Sequence, residues 1–146
     1  MLSSVSVKIL DQRAVIPSYG SEDAAGADLR VILDAPLTIA SGETVMLHTG
    51  LAFAIPKGYV GLIFARSSMG AKKGLAPANK VGVIDADYRG EVRVALHNHS
   101  GEPQVIEPGD RVAQLLIVPY LTAQFTAVDE LDGTQRGTGG FGSTGK

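Results

Sequence analysis

The chain has 146 residues, enough for one domain with its own core; 45% are apolar and 19% charged, and 18 glycines with 7 prolines make it rich in turns. The absence of cysteine excludes a disulfide framework, a thiolate zinc site, a cysteine nucleophile and an iron–sulfur cluster. A formal net charge of −2 argues against a surface for nucleic-acid polymers, no apolar run reaches the length of a membrane span, and Met1–Leu10 lacks the pattern of a secretory signal, so a cytoplasmic protein is expected.

Helical periodicity is nearly absent. Short apolar runs predict strands at Val5–Leu10, Asp28–Ile32, Leu37–Ile39, Thr44–Thr49, Ala52–Ile55 and Val60–Phe64. One short helix is expected from Ser67 to Lys73, with Ser67 as its N-cap. Further strands are predicted at Val81–Ile84, Glu91–Asn98, Val105–Ile106, Arg111–Val118 and Phe125–Val128. Pro56-Lys57-Gly58, Asp87-Tyr-Arg-Gly90, Ser100-Gly-Glu-Pro103 and Pro108-Gly-Asp110 supply turns between them. Many short strands so spaced predict an all-β sandwich or barrel. Leu115–Val118 is apolar on both faces, which places that strand at the centre of a sheet or at an interface.

The stretch 135–146 is different: glycines, Ser, Thr, Arg136, Lys146 and a lone Phe141, with no periodicity. Composition alone reads as a frayed tail. A solitary aromatic among glycines, and donors suited to anionic oxygens, read as something more. Gly140-Phe-Gly-Ser-Thr-Gly145-Lys146 imitates a Walker A loop, but that motif requires a preceding parallel strand and a following helix, and neither is expected.

Several residues invite a chemical reading. His97 and His99 share one face of a strand, yet their spacing to Gly90 and Glu102 fits the cupin metal motif poorly, and strand-end residues are the better reading. Asp85 ends an apolar run, where a carboxylate is unusual without a task, whereas Asp87 reads as a turn residue. Arg66-Ser67-Ser68 combines a guanidinium with two hydroxyls, a good phosphate cradle. Asp28 by itself reads as a solvent-facing strand position, Pro108–Arg111 as a turn feeding a strand, and Gln114 points to neither face clearly.

Together five segments, in order, resemble the homotrimeric dUTPase family. They are Ala25-Gly-Ala-Asp-Leu-Arg30, Ala65-Arg-Ser-Ser-Met-Gly70, Asn79-Lys-Val-Gly-Val-Ile-Asp-Ala-Asp-Tyr-Arg-Gly90, Pro108-Gly-Asp-Arg-Val-Ala-Gln114 and Arg136-Gly-Thr-Gly-Gly-Phe-Gly-Ser-Thr-Gly145. The third and fifth are long and specific. The resemblance implies a jelly-roll domain over 1–134 and a phosphate-binding lid over 135–146, assembled as a homotrimer whose active sites are shared between chains. It implies Mg²⁺-dependent hydrolysis of dUTP to dUMP and pyrophosphate by water attack on the α-phosphorus.

Carried onto this sequence, the family pattern implies Asp85 as the general base and Asp28 as the anchor of Mg²⁺ through the ion's waters, since Mg²⁺ sheds water reluctantly. Arg66, Ser67, Ser68 and Gln114 would bind phosphate, joined by Arg136, Gly142, Ser143 and Thr144 from the lid. Asn79, Gly82, Val83, Ile84 and Arg93 would form the uracil slot, Tyr88 would pack on the deoxyribose, and Phe141 would stack on the base. The chain departs from the family at Ala65, often Pro, at Ser68, often Gly, and at Arg93, often small or apolar. A dCTP deaminase on the same fold wants a glutamate near the cytosine amino group, and the segment Asn79–Gly90 has none. A pure binding module would not need Asp85.

Overall fold

Each short run buries one face and ends at a turn, so the chain folds as a succession of brief antiparallel strands. A computed structural model describes residues 4–142. The strands are β1 (Ser6–Ile9), β2 (Ser18–Tyr19), β3 (Ala27–Arg30), β4 (Leu37–Ile39), β5 (Thr44–His48), β6 (Leu51–Ala54), β7 (Tyr59–Phe64), β8 (Leu75–Pro77), β9 (Gly82–Ile84), β10 (Arg93–Asn98), β11 (Gln104–Ile106) and β12 (Arg111–Pro119). Among the described residues they form sheets in the orders β2-β3-β12-β7-β9, β5-β10-β8, β1-β6 and β11-β4, a jelly-roll-like all-β fold. β12 runs between β3 and β7, the central place expected of it, with Leu115 buried and Leu116, Ile117 and Val118 half-buried. Leu29, Ile39, Leu51, Leu75, Leu96, Ile106 and Val112 are fully buried between the sheets. Each such side chain contributes roughly 1.5–3 kcal/mol relative to exposure. No helix among the described residues is long and apolar enough to cross a membrane.

A buried asparagine ties two of the sheets together. The Asn98 amide donates to the carbonyls of Ile39 (3.0 Å) and Glu102 (2.8 Å), and its oxygen accepts the Ser100 N–H (2.9 Å) and hydroxyl (2.7 Å). Asn98→Ala leaves several of these groups unpaired, and we expect a loss of roughly 3 kcal/mol, read as a lower urea midpoint with unchanged slope.

The expected short helix forms, as a π-helical stretch over Ser68–Lys73 closed by Gly74 in the left-handed conformation, while two other expectations are corrected. Ser67 has helical backbone angles and makes no side-chain cap, because the Arg66 carbonyl, receiving the N–H groups of Met69 (3.0 Å) and Gly70 (2.8 Å), starts the turn instead. Phe125–Val128 forms no strand: its composition favours extension, but a strand needs an edge to pair with, and the segment pairs with none among the described residues. β2 and β8 are too short to carry a period-2 signal, and β8 ends in Pro77.

Candidate functional site

Strand register gathers predicted residues into two groups. In the first, Asp28 on β3 lies opposite Gln114 on β12, which lies opposite Phe64 at the end of β7. Arg66 follows two residues later, and its Nε sits 2.6 Å from Asp28 Oδ1 while an amino nitrogen donates to the Ser68 hydroxyl at 3.1 Å. Ser68, a departure from the family pattern, thus braces the guanidinium from the side opposite Asp28. Gln114 Nε2 donates to the Ala65 carbonyl at 2.9 Å. Gly26 makes room for it, since a Cβ there would lie 2.3 Å from Gln114 Oε1.

Asp28 is not the solvent-facing position it resembles in isolation: its side chain is 11% exposed, and Oδ2 receives Arg111 at 3.1 Å. Arg111 is a residue that sequence reasoning treated as purely structural. Its signal lies in the pairing of β3 with β12, which spacing along the chain does not reveal. Two guanidinium groups around one carboxylate leave one positive charge in excess beside the Ser67 and Ser68 hydroxyls, a setting suited to anionic oxygens.

The second group surrounds a slot of about 250 Å³. β9 ends the five-stranded sheet, whereas β10 belongs to the three-stranded one, so the chain splays on either side of the 85–90 turn. The outer edge of β9 carries no ladder, and β8 pairs with β10 only over Leu96–Asn98, leaving Arg93 without a partner on that side. Val83, Ile84, Asp85, Tyr88 and Arg93 line the slot, together with Met46 and Glu91, which sequence reasoning missed. The Tyr88 N–H donates to the Asp85 carbonyl at 3.1 Å, and the Tyr88 hydroxyl to the Glu91 carbonyl at 2.9 Å. A Cβ on Gly90 would sit 2.5 Å from the Tyr88 oxygen, so only glycine lets the ring fold back over the turn. Asn79 and Gly82 do not line the slot: the Asn79 carbonyl accepts the Val81 N–H at 2.8 Å, and Gly82 is buried against Ile63.

Glu91 anchors this region. Burial raises its carboxyl pKa, but hydrogen bonds from His48 and the Gly50 N–H, with the charges of His48 and Arg93, outweigh that and hold it below the ordinary 4.5. A depressed carboxylate stabilises the fold fully above its unfolded value and loses that contribution as pH falls through the folded value. The stability gap between wild type and Glu91→Gln should therefore be widest near neutrality and shrink as pH falls below 4.5, which urea midpoints at the two conditions would read.

The two groups lie apart. Asp85 follows Ile84, which pairs with Gly61, while Gln114 and Asp28 sit at the level of Phe64 with β12 and β7 in between. Three strand spacings and about four residues of rise separate the backbone positions of Asp28 and Asp85 by roughly 20 Å, much longer than a triphosphate. After Pro119 the chain makes no further strand among the described residues, and Leu121 (89% exposed), Phe125 (94%) and Leu131 (86%) stand in water. Arg136, Phe141 and Gly142 are exposed as well, and Ser143 and Thr144 lie outside the described residues.

The donor set decides what metal it suits. Among the described residues no three His, Asp or Glu side chains converge on one point, so the chain offers no cage of its own. Asp28 and Asp85 are single carboxylates, and this fits Mg²⁺, which is typically held by one or two carboxylates plus substrate phosphates and keeps several waters.

Residues 12–145 match the dUTPase family model. The deoxyuridine 5′-triphosphate nucleotidohydrolase of Desulfitobacterium hafniense is 48% identical over 149 residues, which cover 99% of each chain. The dUTPase of Staphylococcus bacteriophage 80alpha, solved with dUPNHPP, has a TM-score of 0.86 and 29% identity, covering 99% of this chain and 100% of that one. A mutant dUTPase of phage phi11 of S. aureus, whose structure details the coordination of a structural Mg(II) ion, has a TM-score of 0.76 and 27% identity over 88% of this chain.

Proposed function

The chain belongs to the dUTPase family, and from that premise we propose that it hydrolyses dUTP to dUMP and pyrophosphate in the cytoplasm. The observation that carries this reading is the pairing of a cationic, hydroxyl-rich cluster at Asp28–Arg66–Ser68–Gln114 with a narrow slot that has Asp85 at its wall.

In this reading, Asp85 takes a proton from water as the oxygen attacks the α-phosphorus, and the bond to the oxygen bridging toward the β-phosphate breaks, releasing pyrophosphate. Arg66, Ser67, Ser68 and Gln114 hold phosphate oxygens, and Asp28 fixes the Arg66 guanidinium and would hold Mg²⁺ through its waters. Mg²⁺ bound on the triphosphate supplies charge neutralisation for the leaving group. The remaining catalytic contribution is positioning, which the braced guanidinium provides.

The slot selects the nucleotide. Uracil presents acceptor, donor and acceptor along one edge, and free backbone groups on β9 and beside Arg93 can answer them, whereas cytosine would leave buried groups unpaired. A methyl at C5 has no room in so narrow a slot, and Tyr88 closes the space a 2′-hydroxyl needs. Phe141 covers the base, and Arg136, Gly142, Ser143 and Thr144 close on the phosphates, making 135–146 a lid over the 1–134 domain.

The ~20 Å separation supports a site shared between chains, with the slot of one copy facing the cation cluster of another. The exposed Leu121, Phe125 and Leu131 support the same conclusion, since apolar side chains left in water favour an interface with another copy. We assign a homotrimer on these grounds and on the family pattern. The test is pyrophosphate release with Mg²⁺ from dUTP, dTTP, dCTP and UTP at equal concentration. Release from dUTP alone supports the reading; ammonia from dCTP moves the protein to the deaminases, and no turnover by folded protein makes it a binding module.

A further inference from the structure

Glu91 lies between two cavities. One is the slot of Tyr88 and Arg93; the other, of about 430 Å³, is lined by Asp11, Arg13, Asp34, His48 and Gly50. A carboxylate so placed could turn into water, yet both of its oxygens are held inward. Oε1 accepts the Gly50 N–H and Oε2 meets His48 Nδ1, each at 2.9 Å. The backbone beside it is fastened to the same β5–β6 turn: the Val92 N–H donates to the Leu51 carbonyl at 2.8 Å, and the Thr49 hydroxyl to the Val92 carbonyl at 2.5 Å. On its other side, the Glu91 carbonyl receives the Tyr88 hydroxyl at 2.9 Å.

We infer that Glu91 is a positioning residue for sugar discrimination: its carboxylate, tied to His48 and the Gly50 amide, fixes the carbonyl on which the Tyr88 hydroxyl rests. This rests on the reading that Tyr88 faces the deoxyribose. Tyr88 is 41% exposed, so packing alone does not immobilise its ring. Rejecting a 2′-hydroxyl requires that the ring cannot yield by the width of one oxygen, and a charge-assisted anchor behind the hydrogen bond of its hydroxyl supplies that rigidity. The other charged groups facing this cavity are already engaged, because Asp11 and Asp34 both pair with Arg13, at 2.8 and 2.5 Å. His48 on β5 and Arg93 on β10 are the charges that act on Glu91.

The experiment measures kcat and KM for dUTP and UTP by pyrophosphate release in wild type, Glu91→Ala, Glu91→Gln, His48→Ala, Tyr88→Phe and the Glu91→Ala/Tyr88→Phe double variant. The ratio of kcat/KM for dUTP over UTP should fall about tenfold in Glu91→Ala. It should fall less in Glu91→Gln, which keeps an acceptor for Gly50, and in His48→Ala, which keeps one of the two ties. For dUTP itself the change should appear more in KM than in kcat. The loss should not add to that of Tyr88→Phe, because both substitutions act on one contact. An unchanged ratio in the folded variants, or full additivity with Tyr88→Phe, overturns the inference while leaving the activity intact. If Glu91→Ala does not fold, His48→Ala and Glu91→Gln decide the matter alone. Wild-type protein that releases no pyrophosphate from dUTP overturns the activity reading and this inference with it.

Discussion

Asp85→Asn should lower dUTP turnover by about 10³-fold while leaving nucleotide binding nearly intact, because the amide keeps the size of the carboxylate but cannot take the proton of the attacking water. Equilibrium binding of a non-hydrolysable dUTP analogue, measured beside turnover, separates the two effects. Turnover near the wild-type rate would remove Asp85 from the role of base. Arg66→Ala should also fail, for a different reason: the cluster keeps Asp28 but loses the guanidinium that pairs with it at 2.6 Å. Mixing the two inactive proteins is the more telling experiment. If a site takes its slot from one chain and its cation cluster from another, refolding the variants together at equal amounts restores about a quarter of the sites, because each half is intact in half of the chains. If each site lies within one chain, every chain carries a defect and the mixture stays inactive. The ~20 Å between Asp28 and Asp85 in one chain favours recovery.

That separation also explains how much could be read from the chain before folding. The strands β4, β7 and β10 were legible from alternation and turn chemistry, which are local. So was the central place of β12, because Leu115–Val118 is apolar on both faces. Asp85 stood out because a carboxylate at the end of an apolar run is locally anomalous, and Arg66-Ser67-Ser68 because its donors are adjacent in sequence. What escaped depends on register between distant strands. The pairing of Arg111 with Asp28 joins residues 83 positions apart, and the tie of Glu91 to His48 joins residues 43 apart. Nothing in the spacing of either residue points to its partner. Phe125–Val128 failed for the converse reason: its local signal is that of a strand, but it pairs with no edge among the described residues. The roles given to Asn79 and Gly82 came from resemblance alone; in the fold the Asn79 carbonyl accepts the Val81 N–H and Gly82 packs against Ile63, and neither side of that geometry could be read from spacing.

Removing residues 137–146 should lower activity by about 100-fold or more and leave the melting midpoint almost unchanged. The two halves of this expectation have separate causes. Phe141 is fully exposed, and residues 137–142, the described part of the segment, add no strand to any sheet and no buried side chain to the core. Chemistry on a triphosphate, however, requires that water other than the attacking one be excluded and that the phosphates be held in one conformation. A glycine-rich segment bearing one aromatic ring does this by closing on the bound substrate, so the deletion should raise KM for dUTP as well as lower kcat. Phe141→Ala in the full-length chain tests the lid more finely. It should reproduce part of the KM effect, with wild-type stability, if the ring covers the base. A large fall in melting midpoint on deletion would make the segment part of the folded assembly at rest, and full activity without it would leave the slot and the cation cluster sufficient for catalysis.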